Sequence, residues 1–155
     1  MKKERANLRL VFRKPKEPRF VALVDSNYAT DKTARKSVSG NICTLGGCIL
    51  SWTSKTQKTT ALSSTKAEYY ALLYTTQEML FIQNLLEEFG FPSLAGVLFE
   101  DNYGAIQLVR NRQAGQRTKH IDTRHHFMRD VWEDGRLLVE YINTDKTSPT
   151  FAPKM

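Results

Sequence analysis

Three acidic side chains stand at points where the predicted secondary structure changes. Asp25 ends the stretch "FVALVD", Glu68 falls inside "STKAEYYAL", and Asp101 ends "GVLFED". In a sheet that carries helices, binding and catalytic sites commonly lie where strands end and helices begin. Three carboxylates that meet there would form an oxygen-rich cation site, and carboxylate ligands suit Mg²⁺ or Mn²⁺.

Each of these acids also has an ordinary structural interpretation. Glu68 fits the end of a capping box that starts at Thr65, in which the glutamate reaches back to the N-cap amide. Asp101 fits an N-cap, and Asp25 fits a turn. Glu68 has apolar neighbours, however, and burying a carboxylate without a partner costs several kcal/mol. One cation would offset that cost for all three acids together.

The first third of the chain predicts an antiparallel meander of three strands. The stretch "RFVALVD" is apolar almost throughout, as in a strand buried on both faces. The stretch "SGNICTLGGCILSWTSK" reads as two strands around a Gly-Gly turn. Its cysteines, Cys43 and Cys48, either form a disulfide across the hairpin or pack as free thiols, and a reducing compartment favours the thiols. The spacing of the cysteines and the three histidines matches no zinc pattern.

The rest of the chain predicts helices and strands in alternation. A long helix runs from about Thr65 to Phe89 and ends at Gly90. The fourth strand is "GVLFED", two helices follow in "NYGAIQLVRNR" and "IDTRHHFMRDVWEDG", and the fifth strand is "RLLVEYIN". Spacings near three and four predict that one stripe of the long helix faces inward. The members of this stripe are Ala67, Ala71, Tyr74, Ile82, Leu85 and Phe89.

Large apolar side chains outside this stripe have their own interpretations. Three aromatic residues are expected to pack against the core; they are Trp52, Tyr69 and Tyr103. A second group on the long helix forms either a contact surface for a neighbouring protein region or a broad core face. Its members are Met79, Leu80, Phe81 and Leu86.

The element order, β-β-β-α-β-α-α-β, predicts an α/β fold. Its mixed five-stranded sheet combines the antiparallel meander with parallel strands and carries helices on both faces. A length of 155 residues fits a single domain over 1–155. Within it, residues 1–19 form a basic N-terminal segment and residues 145–155 an irregular tail.

The charge of the chain favours a polyanionic partner. The net charge is +7 and the sequence pI is about 9.5, and nucleic acid is the commonest such partner. A basic but inert surface is the alternative. No apolar run approaches the roughly 20 residues of a membrane span, and the charged N-terminus has no apolar signal-peptide region. We therefore expect no membrane partner and a location in the cytoplasm or nucleus.

Several longer motifs carry a family resemblance that covers nearly the whole chain. The ribonuclease H domain of copia-type LTR retrotransposon polyproteins is similar to the stretches "LVDSNYATD", "LGGCILSWTSKTQKTTALSSTKAEYYAL", "EDNYGAI" and "RTKHIDTRHHFMRD". The connecting strand that precedes this domain in the polyproteins resembles "LRLVFRK". The resemblance implies a ribonuclease H-like fold. It also implies that the RNA strand of RNA–DNA hybrids is hydrolysed with two Mg²⁺ ions, for which Mn²⁺ substitutes.

Matched motif by motif, the resemblance assigns catalysis and metal binding to Asp25, Glu68 and Asp101. The partners that it implies are the hybrid and the reverse transcriptase region of the same polyprotein, in the context of a virus-like particle. The family's fourth carboxylate falls at Thr150, where two flanking prolines disfavour a helix. We therefore expect a weaker second ion and an activity that is reduced, Mn²⁺-favouring or lost. The alternative is a degenerate or domesticated nucleic-acid-binding copy of the fold.

The basic stretch "RNRQAGQRTKHIDTRHHFMRD" is interpreted as a phosphate-binding surface, because Lys and Arg neutralise phosphates. A solvated helix face is the alternative, and within the stretch His120 is a candidate proton shuttle. Ser64 and Asn102 stand beside the acids, where they could contact the 2′-hydroxyls or the backbone of the substrate. The substrate-binding candidates are Ser64, Asn102, Arg117, Lys119, His120 and Arg124.

Overall fold

The computed structural model of the chain describes residues 10–12, 14, 18–30, 35–110 and 119–143, with side chains in the last range from residue 126 onward. Within these ranges the elements follow the predicted order. They are β1 (Phe20–Asn27), β2 (Val38–Leu45), β3 (Cys48–Thr56), α1 (Ser64–Glu88), β4 (Gly96–Glu100), α2 (Tyr103–Arg110), α3 (Lys119–Glu133) and β5 (Leu137–Tyr141).

The strands form one mixed sheet in the order β3-β2-β1-β4-β5. The pairs β1–β2 and β2–β3 are antiparallel, and the pairs β1–β4 and β4–β5 are parallel. Gly46 and Gly47 both adopt positive φ angles in the hairpin turn, which is why this turn needs glycine. The predicted mixed five-stranded sheet is confirmed.

The core lies between one face of the sheet and the helices. Residues on this face include Phe20 and Ala22 of β1, Leu98 of β4 and Val139 of β5, all fully or almost fully buried. All three helices contribute to the same apolar cluster and contact one another. Each large apolar side chain buried here stabilises the fold by roughly 1.5–3 kcal/mol.

The opposite face of the sheet is apolar but less covered. Val97 and Phe99 are half-buried there, while Ile42, Trp52 and Leu138 are exposed. Helices were predicted on both faces, and the three helices that the structure describes share one face. The prediction that Trp52 packs in the core is therefore wrong, because the residue lies on the edge strand β3 with 71% of its surface exposed.

The helix α1 packs closely on the centre of the sheet because β4 begins with a glycine. A Cβ atom at Gly96 would lie 2.6 Å from Cε of Met79 and 2.5 Å from Cδ2 of Leu137. Both distances are well below van der Waals contact. Any larger side chain at this position would force the ends of the Met79 and Leu137 side chains to move.

The inward stripe of α1 differs in part from the prediction. Ala67, Ala71 and Ile82 are buried as expected, and Tyr69 is buried too. Further predicted members are largely exposed; they are Tyr74, Leu85 and Phe89. The buried side instead includes Thr75, Thr76, Met79 and Gln83. Hydropathy spacing missed the polar members; of these, Thr75 accepts a hydrogen bond from Asn41 of β2, and Gln83 donates to the carbonyls of Leu94 and Arg136.

The second apolar group of α1 is mostly core. Met79 is fully buried, and Leu80 and Leu86 pack against the core, while Phe81 is exposed. Tyr103, also predicted to pack inward, is exposed at the start of α2, where its ring lies edge-on to Tyr141 at 6.4 Å. In the ranges given above, no helix is long and apolar enough for a bilayer span.

A polar cluster around Glu78 fastens α1 to β2 and β3. Its carboxylate accepts hydrogen bonds from Asn41 Nδ2 (3.1 Å), from Ser51 Oγ and from Thr53 Oγ1 (3.4 Å). Asn41 Nδ2 also donates to Thr75 Oγ1. Because hydrogen bonds to charged groups are worth about 1.5–3 kcal/mol each, this cluster fixes the position of α1 along the sheet.

Candidate metal centre

The structure brings the three predicted acids together. One carboxylate oxygen each from Asp25, Glu68 and Asp101 lies within 4.8 Å of the others. Asp25 is exposed, Asp101 is half-buried, and Glu68 is only 7% exposed. The cluster is therefore open to solvent on one side and enclosed by protein on the other, so a substrate can approach it.

The sheet positions the two aspartates. Leu23 and Phe99 form the last residue pair between β1 and β4. Asp25 and Asp101 each follow two residues later on the two parallel strands. Parallel strands end at the same edge of a sheet, so the shared register places both acids at that edge.

The start of α1 positions the glutamate. The helix begins one residue earlier than predicted, and Ser63 caps it by accepting a hydrogen bond from the amide of Lys66 at 3.2 Å. The capping-box interpretation of Glu68 is therefore wrong, because Thr65 already lies inside the helix. Glu68 projects into the acidic cluster instead of back to the helix end.

A buried glutamine ties this turn of α1 to the sheet. Nε2 of Gln57 donates to the carbonyl of Ala67 at 2.9 Å and to Oγ of Ser39 at 2.8 Å. Ala67 directly precedes Glu68, and Ser39 belongs to β2. Gln57 thus ties the residue before the glutamate to β2, the strand that pairs with β1, which carries Asp25.

The start of α2 leaves Asp101 available to the cluster. Asn102, not Asp101, caps this helix, since its Oδ1 accepts from the amide of Ala105 at 3.0 Å. The N-cap interpretation of Asp101 is wrong for that reason. Gly104 allows the first turn of α2 to approach α1, because a Cβ there would lie 3.0 Å from Cγ2 of Thr65.

Burial and like charges perturb the glutamate. The pKa of Glu68 is raised to about 7, mainly because burial removes the carboxylate from water. Hydrogen bonds from Ser26 lower this pKa, and repulsion by the charges of Asp25 and Asp101 raises it. Oε2 of Glu68 is buried and lacks a hydrogen-bond partner among the described residues. A hard divalent cation fits this donor set, because it would pair the unsatisfied oxygen and relieve the repulsion.

A fourth acid adjoins this cluster and was missed by sequence reasoning. Glu100 ends β4 and is fully buried. Desolvation raises its pKa to about 8, and Glu68 is the strongest of the charged groups that add to this rise. The alternation of buried and half-buried residues along β4 could have indicated its burial, since Glu100 lies on the same buried face as Leu98.

The other predicted site residues have different outcomes. Ser64 is exposed as the first residue of α1, and Asn102 is half-buried at its capping position. Arg117 lies outside the described residues, as does Thr150. For three further candidates only the backbone in α3 is described, so the roles of their side chains stay predictions; they are Lys119, His120 and Arg124.

A cleft of about 330 Å³ lies between the end of β3 and the side of α1. None of the three acids lines it. Lys55 and Lys58 stand on one wall, and Tyr70 and Tyr74 stand on the other. Nζ of Lys55 lies 5.9 Å from the centre of the Tyr74 ring, within the range of a cation–π contact. Gln57 also lines the cleft, so the cleft and the acidic cluster share one anchoring residue.

Known proteins similar to this chain include retrotransposon polyproteins. The chain is 37% identical over 139 residues to the retrovirus-related Pol polyprotein from transposon TNT 1-94 of Nicotiana tabacum, covering 90% of the chain and 10% of that polyprotein. It is 39% identical over 124 residues to the Pol polyprotein from transposon RE1 of Arabidopsis thaliana, which covers 79% of this chain and 8% of that polyprotein. The chain thus spans about a tenth of the length of these curated relatives. No protein-family model matches it.

Solved structures share the fold at low sequence identity. LC11-RNase H1, isolated from compost by a metagenomic approach, matches with a TM-score of 0.60 at 13% identity, covering 83% of this chain and 86% of that one. The same enzyme in complex with RNA/DNA hybrid matches with a TM-score of 0.56 at 13% identity, and the match covers 84% of this chain and 90% of that one. Together with the sequence relatives, this shared architecture shows that the chain belongs to the ribonuclease H domains of copia-type retrotransposon Pol polyproteins.

Proposed function

We propose that the chain is a metal-dependent ribonuclease H that hydrolyses the RNA strand of RNA–DNA hybrids. The observation that carries this proposal is the convergence of Asp25, Glu68 and Asp101 from three separate elements. Mg²⁺ is the proposed natural cation and Mn²⁺ its substitute, because an all-carboxylate donor set suits both.

The proposed chemistry divides between the cation site and the protein around it. Bound divalent cations supply the charge that activates a water molecule and stabilises the leaving 3′ oxygen. Asp25, Glu68 and Asp101 hold that charge at the edge of the sheet, where Asp25 is exposed to the substrate side. The Ser63 cap and the Gln57 hydrogen bonds keep Glu68 in place before any substrate arrives.

Substrate binding would use phosphate contacts and shape rather than bases. The net charge of +7 supports a nucleic-acid substrate, and the likeness to an enzyme solved with an RNA/DNA hybrid supports the hybrid. Lys55 and Lys58 in the cleft beside α1 are proposed phosphate contacts. Ser64 and Asn102, adjacent to the acids, are proposed contacts to sugar or backbone.

The reverse transcriptase region of a Pol polyprotein is the proposed protein partner. The matches to Pol polyproteins support this context. A single domain over 1–155, the role of the basic segment 1–19, and a location in the cytoplasm or nucleus stay predictions.

A binding copy without efficient catalysis is the second candidate function. The expectation that Thr150 stands where the family has its fourth carboxylate favours it. Such a copy would bind the hybrid through the same lysines. It would hold a single cation or none and would cleave slowly.

An assay of hybrid cleavage separates the two candidates. The full chain is incubated with an end-labelled RNA–DNA hybrid in Mg²⁺ and in Mn²⁺, and binding is followed by fluorescence anisotropy. The nuclease proposal expects RNA cleavage that is lost in Asp25→Asn and in Glu68→Gln but kept in Glu88→Gln, whose carboxylate is exposed in the last turn of α1. Hybrid binding without cleavage in either metal contradicts it and supports the second candidate.

A further inference from the structure

The carboxylate of Glu100 lies on the same side of the sheet as Glu68. Glu100 is the last residue of β4, and its side chain is 0% exposed. It alternates with Leu98 on the face against which α1 packs, and α1 carries Glu68. The next residue along the chain is Asp101.

The two oxygens of Glu100 have different surroundings. Oε1 accepts a hydrogen bond from the amide of Asn102 at 3.1 Å, which closes a tight turn around Asp101. Oε2 is buried and has no hydrogen-bond partner within the described parts of the chain. Burying a carboxylate oxygen in this way costs free energy unless a cation or a proton compensates it.

The unsatisfied oxygens of Glu100 and Glu68 both belong to buried carboxylates, the groups that are costliest to leave without a partner. Both side chains are more than nine-tenths buried, and each keeps one oxygen unpaired. A carboxylate retained for packing alone would be replaced at lower cost by an apolar residue or an amide. A nearby divalent cation would compensate both charges at once.

We propose that Glu100 is a positioning residue of the cation site, whose buried carboxylate adds negative charge to the site and whose Oε1 fixes the turn that presents Asp101. This inference rests on the proposed function. Glu100 acts through the electrostatic potential at the cation site and through the position that it gives to Asp101, and it touches no substrate.

Metal affinity tests this role without recourse to activity. Mn²⁺ binding to the full chain is measured by isothermal titration calorimetry and by electron paramagnetic resonance of the free ion. Glu100→Gln keeps an oxygen that accepts from the Asn102 amide but removes the charge, and we expect it to weaken Mn²⁺ binding about tenfold. Glu100→Asp keeps the charge, and we expect it to bind within about threefold of the wild type.

Two controls separate this role from a contribution to folding. Glu88→Gln removes an exposed carboxylate from the last turn of α1, and it should leave Mn²⁺ affinity unchanged. The thermal midpoint of metal-free Glu100→Gln should equal or exceed that of the wild type, because a buried unpaired carboxylate is removed. A merely structural role would lower this midpoint and leave the metal affinity alone.

The outcomes distinguish this inference from the proposed function. If the wild type binds Mn²⁺ and Glu100→Gln binds it equally well, the role of Glu100 is overturned and the nuclease proposal stands. An equal loss of affinity in Glu100→Asp and Glu100→Gln also overturns the role of the charge. If the wild type itself binds no Mn²⁺, the proposed function fails first.

Discussion

The backbone amide of Asn102 donates a hydrogen bond to Oε1 of Glu100 at 3.1 Å, so the two neighbours of Asp101 are tied together. One of them is a buried acid, and the other caps α2. Asp101 is therefore held at a fixed exit from the sheet. This turn, the register of β1 with β4 and the first turn of α1 together define the centre.

Binding of Mn²⁺ should stabilise the wild type and not Glu68→Gln. At a metal concentration 100 times the dissociation constant, a native-state ligand adds about 2.7 kcal/mol to the free energy of unfolding. Differential scanning fluorimetry with and without Mn²⁺ measures the shift of the thermal midpoint. Ser64→Ala, which changes an exposed neighbour at the start of α1, should retain most of the shift. A shift of wild-type size in Glu68→Gln would remove this glutamate from the site.

The stability of the metal-free protein should fall as the pH rises through neutrality. Burial raises the pKa of Glu68 to about 7 and that of Glu100 to about 8, from the ordinary value of 4.5. Between pH 4.5 and 8 the folded state binds more protons than the unfolded state, so deprotonation favours unfolding. Each group contributes a loss on the order of 1–3 kcal/mol. Urea unfolding in EDTA at pH 5.5, 7 and 8.5 measures this loss.

The double variant Glu68→Gln/Glu100→Gln provides the matched comparison for that series. Its stability should change less over the same pH range, because neither amide titrates. An identical pH dependence in the double variant and the wild type would show that other groups control it.

Removal of the two cleft lysines should weaken hybrid binding. In Lys55→Ala/Lys58→Ala we expect a lower affinity for the hybrid. The slope of the logarithm of the binding constant against the logarithm of the salt concentration should also be shallower, by the amount that corresponds to the loss of about two phosphate contacts. Arg136→Gln is the matched control, since Arg136 precedes β5 at the opposite end of the parallel strands and donates to Asn84. Fluorescence anisotropy titrations at several salt concentrations measure both quantities. Equal salt slopes in the wild type and the double variant would place the phosphates elsewhere.

Substitution of Gly96 should destabilise the fold. Gly96→Ala forces Met79 and Leu137 apart, and overpacking of this kind costs about 1–3 kcal/mol. Gly40→Ala is the control, because the nearest atoms to its added Cβ lie at ordinary distances of 3.8 and 3.9 Å. Denaturant unfolding compares the two variants. A neutral Gly96→Ala would mean that α1 can shift at no cost.

The two cysteines should differ in reactivity. Neither forms a disulfide, so the structure favours the thiol interpretation over the disulfide. Burial raises the pKa of Cys43 to about 12, with a further contribution from Glu78, while Cys48 is half-buried in the hairpin. Iodoacetamide should label Cys48 in the native protein and Cys43 only after denaturation, as read by peptide mass spectrometry. Equal native labelling would contradict the burial of Cys43.

Periodicity and turn residues predicted the element order, the mixed sheet and the convergence of the three acids. These features depend on local signals: the Gly46-Gly47 turn, the apolar run before Asp25 and the short strand before Asp101. The exact helix start was wrong by one residue. Ser63, Ser64 and Thr65 are all good caps, and the choice among them depends on where α1 docks.

Long-range polar contacts were beyond the reach of the sequence. Glu78 reads as an ordinary helix glutamate until β2 and β3 bring three donors to it. Glu100 reads as the end of an apolar strand until α1 and α2 enclose it. The donors to Glu78 lie 25 to 37 residues away in the chain, so no local spacing reveals them, whereas alternation along β4 was the one local signal for the burial of Glu100.

The origin of the three acids in β1, α1 and β4 has a consequence for partial chains. A proteolytic fragment that ends before β4 retains most of the first two thirds of the sequence, yet it carries one carboxylate too few and lacks the strand that brings the others into line. Binding of a divalent cation would then distinguish the intact chain from fragments that end before β4. Such fragments would give no binding signal in the same titration.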